Sequence, residues 1–176
     1  MLNVDFVNRY SSLYNQIELS SSEIELFKAV SPRVRSQGYF EVSDFLAVCA
    51  WKSTRTKSLV ISNTPERVIE ISRIALRCSE DLRIPILSLL RGVSTPTASA
   101  LLTVWQPDSY TVIDFRVLNS LNCLRHDLVK QSQLAEIGKS YSVYLKMMRA
   151  VSREIGCDLR SLDKALWMYD KVSANT

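Results

Sequence analysis

One aspartate in this chain has a setting in which a carboxylate could do chemistry. Asp114 follows the apolar pair Val112-Ile113 and precedes a stretch with helical apolar spacing, so its side chain can cap that helix. A carboxylate held there could also stabilise positive charge that develops in a transition state, or orient a water. Capping is the commoner role of an aspartate at a helix start, and the two roles can coexist in one residue.

A second candidate is a tight turn that contains a glycine. The segment Arg91-Gly92-Val93-Ser94-Thr95 separates two short helical stretches, and Pro96 suits the first turn of the second helix. Unpaired amides and the helix dipole at such a start are suited to a phosphate oxygen. Pro96 has no amide hydrogen, so its neighbours must be the donors. Ordinary packing of two helices would produce the same pattern.

Aromatic residues next to cations form a third group. Trp51 is followed closely by Lys52 and Arg55, which could contact phosphate or a polar base substituent while the indole stacks on a base. Residues 51–91 contain eight Lys/Arg and four Asp/Glu, whereas residues 1–50 contain four and six. A basic middle segment suits a phosphate-binding face, although a solvated helix surface has the same composition. The further aromatic candidates are Trp105, Tyr110 and Trp167, each of which could equally be a core residue.

The elements that must position these residues are predicted to be helices throughout. Apolar residues recur every three or four positions, and no alternating β-branched run is bounded by hairpin turns, so the fold class is all-α, a compact helical bundle. Pro32 is expected to stop an early helix, and Ser43 or Asp44 to cap a central, well-buried one. The start Thr64-Pro65 is a strong helix N-terminus. The last two helices are expected at about 133–155 and about 161–171.

Length and composition predict one domain over residues 1–172, with a helix-hairpin-helix at about 84–105 and a frayed tail at 173–176. No apolar run approaches the roughly 18 residues of a membrane span, and no signal-peptide pattern is visible, so a cytoplasmic protein without a membrane partner is expected, most simply a monomer. The four separated cysteines are expected to be buried free thiols. His126 is the only histidine, and no zinc spacing exists.

The turn and the aspartate together resemble the helix-hairpin-helix DNA glycosylase superfamily, which includes endonuclease III and 8-oxoguanine glycosylase. The match covers about residues 84–121, with Asp114 at the position of the catalytic aspartate, eighteen residues after Pro96. The resemblance implies double-stranded DNA as partner. The hairpin residues that match are Leu90, Gly92, Val93, Thr97 and Ala98. The implied DNA contacts are Arg91, Gly92, Val93, Ser94, Thr95 and Thr97, and the implied base-pocket or phosphate contacts are Trp51, Lys52, Arg55 and Tyr110.

Departures from the superfamily pattern narrow the implied activity. Pro96 stands where bifunctional members carry the lysine that forms a Schiff base, so strand cleavage is not expected. Ser94 replaces the second hairpin glycine, and the four-cysteine loop of endonuclease III is missing, so no iron–sulfur cluster is expected. No cofactor or metal is implied, although a monovalent cation at the hairpin is left open.

The strings at 51–55 and 161–167 also resemble a bacterial family of compact proteins that share the glycosylase hairpin, which adds no activity. The expectation is therefore a monofunctional DNA glycosylase that excises a modified or damaged base, for example a hypermodified phage base, and leaves an abasic site. Repair and phage defence are both compatible with it. Two alternatives stay open: a non-catalytic DNA-binding module of the same fold, and a structural or protein-interaction helical domain.

Overall fold

The computed structural model of the chain describes residues 1–17, 23–125 and 140–174. All regular secondary structure in these ranges is helical, which confirms the all-α prediction. Contacts group the described residues into two compact units, one within Met1–Ser20 and Asp108–Thr176 and the other within Ser21–Pro107. Within the same ranges, no helix is both long enough and apolar enough for a membrane span.

The second unit, within Ser21–Pro107, is built around one fully enclosed helix. Every residue from Thr97 to Trp105 is buried, and the hydroxyls of Ser99 and Thr103 are satisfied by carbonyls of their own helix at 2.8 Å each. The elements are a π-helical turn Leu26–Val30, α2 Ser31–Gln37, α3 Val42–Lys52, α4 Lys57–Ile61, α5 Pro65–Arg77, α6 Glu80–Leu87 and α7 Thr95–Trp105.

The prediction that the helix after Ser43 is central is confirmed, because α3 packs against α4, α5 and α7, but the prediction that it is well buried was wrong. Helix α3 exposes Ala47 and Ala50 and buries one face, whereas α7 is the enclosed element. Small alanines are compatible with either environment, so the apolar composition of α3 overstated its burial.

Pro32 does not stop the early helix, contrary to the expectation. The chain passes from the π-helical turn directly into α2, and Pro32 lies in the first turn of α2. The amide of Ser31 donates to the carbonyl of Leu26, five residues back. A proline ring clashes with the carbonyl four residues before it and has no amide hydrogen, and one wider turn at that point accommodates both defects.

Asp44 does not cap α3. The N-cap is Glu41, which makes no side-chain cap hydrogen bond, and Asp44 is buried within the first turn. Its carboxylate receives two hydrogen bonds from Arg33, from Nε at 2.9 Å and from Nη2 at 2.5 Å. This bidentate pairing compensates for burying the charge, and the carboxylate in turn raises the pKa of the Arg33 guanidinium.

The first unit, within Met1–Ser20 and Asp108–Thr176, packs its helices against a central C-terminal one. Leu162, Ala165 and Leu166 of that helix are fully buried, and the Ser120 hydroxyl donates to the Leu166 carbonyl at 2.6 Å. Such a short side-chain contact brings two helices close together. The elements are α1 Val4–Tyr14, α8 Phe115–Leu124, α9 Tyr141–Ile155 and α10 Leu159–Ser173.

Two of the predicted helix starts are confirmed in detail. Thr64 accepts a cap hydrogen bond from the Arg67 amide at 3.3 Å with Pro65 in the first turn of α5, and Asp114 caps α8. The expected start of the helix at about 133 lies outside the described residues, as does His126. Of the expected frayed tail, Ser173 ends α10, and residues 175–176 lie outside the described ranges.

The cysteines are all free, but only Cys49 is buried. Burial raises the pKa of its thiol to about 12. Cys78 and Cys157 are partly exposed and Cys123 is exposed, so the expectation of four buried thiols was wrong. In α8 the buried face is formed by Val117, Ser120 and Leu121, and Cys123 lies outside that helical stripe.

Candidate functional site

The turn between α6 and α7 is held against α4 at a distance that only glycine permits. Gly92 has a φ of +79°, in the left-handed region. A Cβ added at Gly92 would lie 2.9 Å from Leu59 Cβ, 2.9 Å from Val60 Cγ1 and 3.1 Å from the Val60 backbone nitrogen. The turn therefore depends on glycine both for its backbone angle and for its close approach.

A buried asparagine fastens the same turn. The Arg91 amide donates to Asn63 Oδ1 at 2.8 Å, and Asn63 Nδ2 donates to the carbonyls of Arg91 and Val60, both at 2.9 Å. Asn63 is only 4% exposed. Arg67 also donates to the Leu89 carbonyl at 3.0 Å. The turn thus has a defined shape without belonging to a helix, because side chains supply the partners of its backbone.

The N-terminus of α7 follows this turn directly. Ser94 is the N-cap residue and makes no side-chain cap hydrogen bond, in contrast to the N-caps Thr64 and Asp114. Amides in the first turn of a helix need a partner from a side chain, water or a ligand. Among the predicted DNA contacts, Arg91 and Ser94 are exposed, Gly92 and Thr95 are partly exposed, and Val93 and Thr97 are buried.

Several carbonyls of the turn already accept hydrogen bonds. Those of Leu89 and Arg91 accept from Arg67 and Asn63, and that of Leu90 accepts from the Val93 amide at 3.2 Å. This reduces the capacity that they would have for a monovalent cation. A cation at the hairpin stays a prediction.

Asp114 lies in the first unit, has an extended backbone and ends a segment, residues 106–114, that belongs to no helix. Its carboxylate accepts a hydrogen bond from the Arg116 amide at 3.0 Å, and its side chain is partly exposed. The guanidinium of Arg116 pairs with Asp170 at 2.8 Å and lies over the rings of Phe115 and Trp167. Trp167, one of the aromatic candidates, therefore packs beside α8 against a cation.

Three side chains of α9 hold the segment that leads to Asp114. Tyr141 donates its hydroxyl to the Thr111 carbonyl at 2.9 Å, and Tyr144 donates to the Val112 carbonyl at 2.8 Å. Arg149 donates to the Ser109 carbonyl from Nε at 3.1 Å and from Nη2 at 2.7 Å. None of these three residues is among the sequence-based candidates, and their helical spacing, with Tyr144 three residues after Tyr141, is the signal that the sequence offers for them.

The pKa of the Tyr144 phenol is shifted by its buried position and by nearby charges. Burial raises the pKa of the Tyr144 phenol well above its ordinary value, and the negative charges of Asp163 and Asp114 raise it further. Asp163 is itself buried and pairs with Arg160 one turn earlier in α10. The phenol stays protonated at neutral pH, which it must be to donate to the Val112 carbonyl.

The remaining candidates are divided between the two units. In the second unit, the Trp51 ring meets Phe27 edge to face at 6.2 Å, Lys52 ends α3, and Arg55 is exposed in the following turn. In the first unit, Tyr110 is 2% exposed and lies under the Arg149 guanidinium. Their assignment to a base pocket stays a prediction. Across residues 1–17, 23–125 and 140–174, no group of three or more His, Cys, Asp or Glu could hold a metal ion.

Replacing Gly92 by alanine should destabilise the protein more than the same change at Gly38. Both glycines have a positive φ, which costs a non-glycine residue about 1 kcal/mol, but a Cβ at Gly38 meets nothing within 4 Å. Gly92→Ala adds contacts at 2.9 Å with α4, so we expect a total loss of about 3 kcal/mol in the free energy of unfolding. Urea denaturation of both variants measures the difference. Equal losses would mean that the turn does not pack against α4 in this way.

Replacing Tyr144 by phenylalanine should cost about 1 to 2 kcal/mol of stability at pH 7, because the buried Val112 carbonyl loses its donor. Tyr10→Phe, at a partly exposed tyrosine, should cost little. Above about pH 10 the unfolded phenol ionises while the folded one stays protonated, so wild-type stability falls by up to about 1.4 kcal/mol per pH unit from this group. Because phenylalanine does not ionise, this alkaline decrease in stability should be absent from Tyr144→Phe. Urea midpoints from pH 7 to 11 test it, and an unchanged alkaline slope would contradict it.

Comparison with known proteins adds no relative to these observations. No protein-family model, no curated protein and no solved structure matches this chain. The resemblance to helix-hairpin-helix glycosylases therefore depends on the residues of the turn and on Asp114 alone.

Proposed function

We propose that this chain binds the phosphate backbone of double-stranded DNA through the turn 88–94 and the start of α7, and that Asp114 supports excision of a modified base. The observation that carries this proposal is the turn itself. It is a backbone segment held rigidly by Gly92 and Asn63, and it leads directly into a helix whose N-cap Ser94 provides no side-chain cap. Main-chain donors that are fixed in advance bind an anion without an ordering cost.

Charge in the second unit supports a phosphate ligand. Arg91 is exposed within the turn, and Arg67 lies against the Leu89 carbonyl of the same turn. The net charge of residues 51–91, eight Lys/Arg against four Asp/Glu, is positive. Cations beside a fixed set of amides strengthen binding to a phosphate and contribute a salt dependence, but neither group reads a base edge. Binding should therefore be largely independent of DNA sequence.

The proposed role of Asp114 is electrostatic. A carboxylate near the sugar stabilises the oxocarbenium-like charge that develops as the base leaves, or orients the attacking water. Asp114 is suited to this because its carboxylate is held by the cap hydrogen bond from the Arg116 amide, and the backbone two residues before it is held by Tyr144 at the Val112 carbonyl. Pro96 offers no amine for a Schiff base, so the reaction would end at the abasic site, and a base that leaves readily would be the substrate.

One observation favours the alternative of a DNA-binding module without catalysis. Asp114 accepts a hydrogen bond from the Arg116 amide, so a purely structural role would account for an aspartate at this position. The two functions differ in what is lost when its charge is removed, and a matched cap elsewhere in the chain makes the difference measurable.

The DNA-binding proposal predicts that affinity for duplex DNA falls steeply with salt and varies little with sequence. Each phosphate contact contributes about 0.9 to the slope of log K against log salt concentration. Arg91→Gln should therefore reduce the slope by about one, and Lys146→Gln, at an exposed lysine of α9, should leave it unchanged. Fluorescence anisotropy with two duplexes of unrelated sequence at several salt concentrations measures this. Affinity that is independent of salt would refute the proposal.

Replacing Asp114 by asparagine should abolish base release and leave folding and DNA binding intact. Asparagine keeps the cap but not the charge, and losing one preorganised electrostatic contact typically slows a reaction about 10²-fold or more. Asp158→Asn is the matched control, because Asp158 caps α10 by accepting from the Ser161 amide at 2.8 Å.

The measurement is single-turnover base release from duplexes that carry different modified bases, with alkali to reveal abasic sites and a thermal melt of each variant. If Asp114→Asn released the base at the wild-type rate, the catalytic role of Asp114 would be refuted. Absence of base release from the whole panel, combined with salt-dependent binding, would favour the non-catalytic module. A protein–DNA adduct trapped by borohydride would contradict the monofunctional assignment.

A further inference from the structure

A cavity of about 230 Å³ lies between α3 and α4 in the second unit. Its apolar lining comes from Leu46 and Ala50 of α3 and from Val60 and Ile61 of α4. Its polar lining comes from Ser53 and Thr54 in the connection between the two helices and from Lys57, the first residue of α4. None of these residues belongs to the predicted DNA-binding or catalytic set, so an inference from the cavity is independent of the proposed function.

One wall of the cavity is held in place by the neighbouring turn. Val60 is 4% exposed, its carbonyl accepts from Asn63 Nδ2 at 2.9 Å, and its Cγ1 lies against Gly92. A wall fixed in this way does not collapse into the empty space. This wall of the cavity is therefore in place before any ligand enters, which lowers the cost of binding.

The size of the cavity sets the class of ligand. An apolar cavity of roughly 150 Å³ is enough for one benzene molecule, so about 230 Å³ accommodates a substituted ring or a short branched acyl chain. A nucleobase fits less well, because the donors and acceptors around its edge would be left unsatisfied against Leu46, Val60 and Ile61.

The polar side favours an anionic group on that ligand. Lys57 is exposed and makes no ion pair with any residue of the described ranges. The Ser53 hydroxyl oxygen accepts from the Arg55 amide at 3.3 Å, which leaves its hydrogen for an oxygen of the ligand. An ammonium and a hydroxyl donor beside an apolar cavity match a carboxylate on an apolar body.

We propose that this cavity is a binding site for a small apolar anion, an aromatic or short acyl group that carries one carboxylate. The apolar body lies against Leu46, Val60 and Ile61, and the carboxylate meets Lys57 and Ser53. The probes that test this are 3-phenylpropanoate and its uncharged analogue 3-phenylpropanol, titrated into the 176-residue chain by isothermal calorimetry.

We expect 3-phenylpropanoate to bind with a dissociation constant on the order of 0.1 mM, as about ten well-packed heavy atoms allow. The alcohol should bind roughly fivefold more weakly, because an exposed ion pair contributes about 1 kcal/mol. Lys57→Gln should remove this preference and leave the affinity for the alcohol unchanged. Lys28→Gln, at an exposed lysine in the same unit, should change neither affinity.

Filling the cavity provides the second test. Ala50→Leu places a larger side chain in the cavity from an exposed position of α3, and it should weaken both ligands at least tenfold. Ala47→Leu, one turn earlier on the same helix and outside the cavity lining, is the matched control and should bind like the wild type. Thermal melts of both variants check that they fold.

The wild-type protein supplies a readout that needs no variant. Methyl chemical shifts of Leu46, Val60 and Ile61 should change with the same saturation curve as the calorimetric signal. The proposal is overturned if neither probe binds at several millimolar, if Ala50→Leu binds as tightly as Ala47→Leu, or if the shifts appear elsewhere. A preference for the acid that survives Lys57→Gln would overturn the assignment of the anion to this lysine.

Discussion

The backbone of Gly92 lies so close to Val60 that no side chain fits between them, and Asn63 closes the same contact with hydrogen bonds to the amide and the carbonyl of Arg91. Several features of the second unit depend on this contact. It determines where α7 begins, and it fixes Val60, which is also a wall of the cavity beside α3. An isolated turn of this length would be mobile, because its backbone groups would form hydrogen bonds with water and not with fixed protein atoms. Here the partners are protein atoms, so the main chain has one arrangement.

In the first unit, longer side chains supply the hydrogen-bond partners of a backbone segment that belongs to no helix. The residues that lead to Asp114 belong to no helix or sheet, yet their carbonyls at Ser109, Thr111 and Val112 are buried or partly buried and need donors. One helix, α9, supplies all of them. Tyrosine and arginine are suited to this task because each buries an apolar body while its polar tip reaches a carbonyl. Asp114 is therefore positioned by residues that follow it by about thirty positions in the sequence.

Sequence patterns correctly predicted those features that depend on residues close to one another in the chain. Thr64 and Asp114 could be identified as caps because a cap depends on residues within one turn. The functions of Asp44 and Asn63 could not be predicted, since their partners, Arg33 and the Arg91 peptide, lie 11 and 28 residues away and only tertiary packing brings them together. Local sequence around Asp44 therefore predicts a cap, although its carboxylate pairs with Arg33.

Pro32 does not end the helix for a different reason. A proline inside a helix normally clashes with the carbonyl four residues before it, and the single π-helical turn at this point removes that clash. Apolar periodicity likewise gave the fold class but misplaced the enclosed helix. The alanines of α3 face solvent, whereas the hydroxyls of α7 bond to their own helix and can be buried without other partners. Composition alone does not distinguish these two cases.

A site made of main-chain donors places few requirements on the residue types at its contact positions. The atoms that would contact a phosphate at the start of α7 are amides, which nearly every residue possesses, so most substitutions at the contact positions themselves should matter little. The specificity of the arrangement lies in residues that would not touch the ligand. Gly92 permits the close approach, and Asn63, buried at 4% exposure, holds the peptide of Arg91. In the same way the geometry of Asp114 depends on the neutral phenol of Tyr144. These supporting residues identify such a site more sharply than the residues that line it, because only they need particular side chains.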